Sequence, residues 1–192
     1  QRQMCIRDRE LLSMLGNVLD LARIENNKVE MEYIVSNVHE CLENCVIMSQ
    51  QQAESKNQTL SLTEQIVYPY VYMDAPHLSE VCLNIISNAI KYTNTGGTIS
   101  CNVLQESCEK EDWCNMIITI TDNGIGMSPE KLNELREGIV SKQIHYEKHF
   151  GISNINSRIC SSLQGHGTLR VESNKDTGTT IYIRIPQLLE DY

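Results

Sequence analysis

No stretch of this chain is apolar for long enough to cross a membrane. Runs such as Met116 to Ile120 fall far below the roughly 18 to 20 residues that a spanning helix needs, and no signal-peptide pattern opens the sequence. Positive charge is scarce. Sixteen Lys and Arg face 25 Asp and Glu, for a formal net charge of -9, which argues against a protein held on nucleic acid or anionic lipid by bulk electrostatics. Cys-x-x-Cys pairs are missing altogether. The eight cysteines, at positions 5, 41, 45, 82, 101, 108, 114 and 160, are too scattered for the usual zinc-ligand spacing. Several, Cys82 among them, replace small apolar residues in helical or strand patterns, as reduced thiols do. Internal repeats are absent too. What remains is a soluble segment expected in a reducing cytoplasm, and 192 residues suit one domain with an appendage.

The pattern along the chain mixes helices and strands. Residues 1–9, QRQMCIRDR, fit no pattern and read as a scar or a disordered tail. Residues 10–31 place Leu11, Leu15, Val18, Leu19 and Ala22 at helical spacing, a long amphipathic helix with little of its own to pack against. A cap at Ser36/Asn37 then opens a second helix, with Val38, Leu42, Cys45, Ser49 and Ala53 along one side. Strands are expected at 59–62 and 70–73, a helix over 76–92, and a strand over 98–104 after the turn Gly96-Gly97. A hairpin loop over 105–112 leads to a buried strand at 116–121, and Ser128-Pro129-Glu130 starts another helix. Residues 139–150 lack a clear period, a capped helix follows from 153 to about 163, and strands at 168–172 and 179–185 end at Pro186. Without regular alternation, this order favours a sheet covered by helices on one face, an α+β fold, over a doubly wound parallel sheet.

The helix over residues 80–93, EVCLNIISNAIKYT, is the most informative. At about 100° per residue, Glu80, Asn84, Asn88 and Lys91 fall within an arc of roughly 80°, and apolar residues fill the rest. A solvated stripe is usually rich in Lys and Glu, whereas two Asn one turn apart weaken a helix by competing for its backbone hydrogen bonds. Asn oxygens at successive turns can take part in a magnesium shell, and a Lys one turn on can meet the phosphates which such an ion bridges.

Three glycine patches keep it company. The buried strand delivers Asp122, a carboxylate able to accept from an exocyclic amine, and in TDNGIGM Gly124 and Gly126 let the backbone approach a flat ligand. Phe150-Gly151-Ile152-Ser153-Asn154 precedes a helix, where bare N-H groups could cap the helix or meet phosphate. Asp176-Thr177-Gly178-Thr179-Thr180 is a hairpin turn or another ligand-facing loop.

In this order and spacing, the four motifs resemble the ATP-binding domain of sensor histidine kinases, a family grouped with the gyrase, heat-shock chaperone and mismatch-repair ATPases. The resemblance covers about residues 11–186. It implies an α+β, two-layer α/β sandwich of the Bergerat type over residues 32–192, preceded by a long helix. By matching position, Asn84 and Asn88 resemble the asparagine box that holds Mg2+ and phosphates, with Lys91 beside the phosphates and Tyr92 near adenine. Asp122 resembles the adenine-reading aspartate. Gly124, Ile125, Gly126 and Met127 match the first glycine box; Gly151, Ile152, Ser153 and Asn154 match the second; Gly178 and Thr179 match the last. Residues 139–150 become the lid.

Residues 10–31 resemble the end of the second dimerisation helix of these kinases, which implies a homodimer through that helix. The acceptor histidine of the family lies on a preceding helix, and none of His39, His77, His145, His149 or His166 has such a context. The resemblance thus implies ATP and Mg2+ as ligands, phosphoryl transfer with Asn84 and Lys91 in the catalytic set, and a response regulator receiver domain as partner. No nucleic acid or membrane contact by this segment is expected. One departure stands out: His149 occupies the position of the first glycine in the family's second glycine box. A binding-only pseudokinase and a serine-kinase anti-sigma factor are the rival readings, the latter at odds with a dimerisation helix.

Overall fold

The computed structural model describes residues 32–107, 112–141 and 167–189. The chain divides between Met31 and Glu32, and every described residue belongs to the second unit. The expected helices over 10–31 and 153–163, and residues 142–150 of the lid, lie outside the described residues.

Ten elements follow one another among the described residues. They are β1 (Ile34–Asn37), α1 (Val38–Glu54), β2 (Thr59–Gln65), β3 (Tyr70–Met73), α2 (Ala75–Tyr92), β4 (Thr98–Ser107), β5 (Trp113–Asp122), α3 (Pro129–Ser141), β6 (Thr168–Asn174) and β7 (Gly178–Leu189). The strands form one sheet in the order β1-β3-β7-β5-β4-β2, with β6 also paired to β7. All pairs are antiparallel except β2 with β4.

Register explains why one face is apolar. Cys101, Ile120 and Ile181 stand side by side across β4, β5 and β7, as do Val103, Ile118 and Ile183, and all six are buried. Alternate residues such as Asn102, Thr119 and Tyr182 are more exposed, as the two-residue period of a one-sided sheet requires. Leu42 and Cys45 from α1, Ile85, Ile86 and Ile90 from α2, and Leu132 and Leu135 from α3 join the same apolar cluster. This is the two-layer α+β arrangement that the sequence pattern implies. Cys41, Cys45, Cys82, Cys101 and Cys114 are buried thiols with no disulfide among them.

The caps are built locally. Asn37 accepts from the Glu40 amide at 3.3 Å to start α1, and Asp74 accepts from the His77 amide at 3.0 Å to start α2. The end of α1 turns on Asn57, which adopts φ 53°. The Asn57 amide donates to Glu54 O at 2.9 Å and the Gln58 amide to Ala53 O at 3.0 Å, the paired bonds of a Schellman stop.

Several strands outrun their expected ends. β4 continues to Ser107 because Gln105, read as a loop residue, is a buried hub. Its Oε1 accepts from the Val67 and Tyr68 amides at 2.9 and 2.7 Å, and its Nε2 donates to Tyr68 O at 2.9 Å. β7 passes through Pro186 to Leu189 instead of ending there. One edge of β7 is paired with β5 throughout, but on the other edge β6 reaches only Arg184 and β3 begins at Leu188. Pro186 lies in that gap, where a missing N-H costs no ladder bond. α3 extends to Ser141, so the aperiodic segment expected from residue 139 starts inside a helix.

Candidate functional site

Asp122 ends β5 between Ile99 of β4 and Thr179 of β7 and is only 8% exposed. Its Oδ1 accepts from the Gly124 amide at 2.8 Å. Burial pushes its pKa above the ordinary carboxylate value, with backbone N-H bonds from Gly124 and Thr179 pulling the other way. A carboxylate held this way is aimed by the backbone and kept away from bulk water.

The turn that follows is tied on both sides. Toward α2, the Ile125 amide donates to Tyr92 O at 3.2 Å, and a Cβ on Gly124 would sit 2.5 Å from that same oxygen. Toward the β6–β7 hairpin, the Asp176 amide donates to Ile125 O at 2.8 Å. Gly126, at φ +59°, packs so closely on the hairpin that a Cβ would lie 1.9 Å from Asn174 O. The Met127 amide donates to Ser173 Oγ at 2.9 Å, and that hydroxyl donates to Gly178 O at 2.8 Å. The Thr179 hydroxyl lies 3.0 Å from Ser173 Oγ and so has a partner within the protein.

These bonds bring Tyr92, Asp122, Gly124, Ile125, Gly126, Met127, Gly178 and Thr179 together. Asn84, Asn88 and Lys91 lie on the preceding turns of α2. Both Asn side chains are half-buried, and among the described residues neither has a hydrogen-bond partner, so their amides are uncommitted. Lys91 Nζ stands 5.4 Å from the centre of the exposed Tyr92 ring. Gly151, Ile152, Ser153 and Asn154 lie outside the described residues. Sequence reasoning missed Ser173, and also Asn123, whose Oδ1 accepts from the Thr98 amide at 2.8 Å; both act over long sequence distance and leave no local pattern. Among the described residues, no group of three or more His, Cys, Asp or Glu is placed to hold a metal ion. No helix among them is long and apolar enough to cross a membrane.

The family model for histidine kinase-, DNA gyrase B- and HSP90-like ATPases matches residues 73–189, a span that holds both the amide-bearing helix and the Asp-x-Gly-x-Gly turn. The chain belongs to that family. A curated relative, an uncharacterized sensor-like histidine kinase of Rhizobium meliloti, is 27% identical over 179 residues, covering 92% of this chain and 33% of the relative. This chain therefore spans about a third of that protein's length. Among solved structures, full-length ShkA in complex with AMPPNP superposes with a TM-score of 0.73 at 16% identity, covering 95% of this chain and 37% of that one. The histidine kinase ThkA, in complex with the response regulator protein TrrA, gives 0.71 at 18% identity, covering 97% and 51%. The family is one of ATPases, which implies ATP as a ligand, and the Rhizobium relative and ThkA are both named as histidine kinases. The match starts at Met73, so β1, α1 and β2 lie before it.

Proposed function

We propose that this domain binds Mg-ATP and transfers the γ-phosphoryl group to a histidine on a helix outside this chain, for relay to an aspartate of a response regulator. The observation that carries the reading is the junction at Tyr92 O. It joins the helix bearing Asn84, Asn88 and Lys91 to the glycine turn that follows the buried Asp122.

In this reading Asp122 accepts from the adenine amine, while Gly124 and Gly126, whose absent Cβ atoms would strike Tyr92 O and Asn174 O rather than a ligand, let the turn pack tightly between α2 and the β6–β7 hairpin. Tyr92 lies near the adenine and Lys91 reaches the phosphates. The uncommitted amides of Asn84 and Asn88 fit a magnesium ion: their oxygens are hard ligands, one turn apart, without a protein partner among the described residues. When bound, that ion supplies neutralisation of phosphate charge. Gly151, Ile152, Ser153 and Asn154 would add backbone N-H groups toward the phosphates. The protein's share in the reaction is then positioning and electrostatics, as phosphoryl transfer generally requires. Hydrolytic members of the family usually place a glutamate at the position of Asn84 to activate water. An amide cannot take that proton, which supports transfer to a protein over hydrolysis.

Dimerisation through residues 10–31 and docking of a receiver domain belong to the same proposal. The ThkA complex supports the second. The test is to incubate the chain with Mg-ATP and a separate helical bundle from a related kinase carrying the acceptor histidine. Acid-labile phosphohistidine on the bundle is the expected product. Phosphate released to water without it would overturn the assignment.

A further inference from the structure

The carbonyls at the end of α2 are all accounted for, and two residues before the family match account for most of them. The helix ends on Thr93, extended at φ -82° and ψ 138°, with no left-handed glycine to fold the chain back onto its last carbonyls. Lys56 supplies the missing donors. Its Nζ donates to the carbonyls of Ile90, Lys91 and Thr93 at 2.6, 3.1 and 3.1 Å, so all three ammonium protons are used. Gln58 Nε2, on a side chain of a residue only 5% exposed, lies 3.1, 2.7 and 3.3 Å from the carbonyls of Ile90, Thr93 and Asn94. In the run from Ile90 to Asn94, the one carbonyl that neither side chain takes is Tyr92 O. That is the oxygen to which the Ile125 amide donates.

We infer that Lys56 is a positioning residue for nucleotide binding. By holding the carbonyls on both sides of Tyr92, it fixes where Lys91 and Tyr92 stand and where the Gly124–Gly126 turn hangs. It acts through the backbone and touches no ligand itself. Its charge also opposes the negative end of the α2 dipole, which leaves the Lys91 ammonium uncommitted to capping its own helix. The placement of Lys56 is itself specified: it sits one residue before the left-handed Asn57, and the Lys56 carbonyl accepts from the Gly96 amide at 3.1 Å just beyond the helix. The inference rests on the nucleotide site proposed above.

The test uses the whole chain with Lys56→Met, the milder Lys56→Gln and the charge-keeping Lys56→Arg. ATP dissociation constants are measured at a temperature where circular dichroism shows each variant folded, alongside exchange of the Ile125 amide. Lys56→Met should weaken ATP binding about tenfold, the lower range seen when a group supporting a ligand-holding residue is lost. It should also speed Ile125 exchange relative to amides at the centre of β5. Lys56→Gln should fall between, and Lys56→Arg should stay within about threefold of the parent. If Lys56→Met does not fold, Lys56→Gln carries the same two readouts. A lowered melting temperature with unchanged ATP affinity and unchanged Ile125 exchange would reduce Lys56 to a helix cap and overturn the inference. If the unaltered chain bound no ATP, the nucleotide site itself would fall; equal binding by parent and variants removes only the role of Lys56.

Discussion

At the scale of single residues, Asp122 joins stability to binding. Its folded pKa is raised by burial, so the native state holds the proton more tightly than the unfolded chain does. Its contribution to stability is therefore full below the unfolded pKa and is lost as pH rises through the folded one. ATP affinity should run the opposite way, falling on acidification at a pH higher than an exposed Asp would give; calorimetric titration across that range checks it. Asp122→Asn turns an acceptor toward donor character opposite an amine, at a cost of about 2 kcal/mol, or roughly 30-fold in affinity. The nucleotide-free variant should melt no lower than the parent at pH 7. Glycines give a sharper contrast. Gly126→Ala meets Asn174 O at 1.9 Å with a positive φ and should lose more than about 2 kcal/mol of stability. Gly138→Ala, inside α3 with nothing within 4 Å, should gain about 0.5 to 1 kcal/mol; denaturant melts of both decide. The placement of Asp122 at a strand end and of Gly124, Gly126 and Gly178 in tight turns was legible because such positions restrict residue type locally, but the close approach those glycines allow is to Tyr92 O, Asn174 O and Asp122 O of the chain itself. Ser173 and Asn123 were not, since a serine or asparagine bonding a distant amide looks like any loop polar residue.

At the scale of elements, α1 and α2 were legible to within a residue or two. Each pairs a helical apolar period with a capping side chain, and both signals lie within one segment. The ends of β4 and β7 were misjudged for one reason: a polar Gln105 and a Pro186 look like terminators until their sheet neighbours are known. The stop of α1 also escaped notice, because Asn57 carries no mark of its left-handed φ. Asn57→Ala should cost about 1 to 2 kcal/mol, whereas Asn57→Gly should be close to neutral, as comparison of their urea midpoints would reveal. Displacing that turn also displaces Lys56 and Gln58, so Asn57→Ala should weaken ATP binding in the folded fraction as well.

At the scale of the whole molecule, the order of motifs pointed to the family more firmly than any single motif did. The helical period, the strand-end carboxylate and the glycines each have an ordinary explanation, and their sequence along the chain does not. Binding should couple to global stability: at an ATP concentration about 100-fold above the dissociation constant, the folded state gains about 2.7 kcal/mol. For a chain of this size that raises the melting temperature by several degrees, measurable by calorimetry with and without Mg-ATP.

The interior cysteines turn the protein into its own unfolding probe. Cys82 is wholly enclosed, burial drives its pKa upward, and Cys101 is pushed up to about 12, so neither offers a thiolate to an alkylating reagent while the sheet and helices stay together. Adduct formation at these two positions, located by mass spectrometry, therefore clocks how often the interior breathes open, and saturating ATP should slow that clock without any dye or tag having been engineered in.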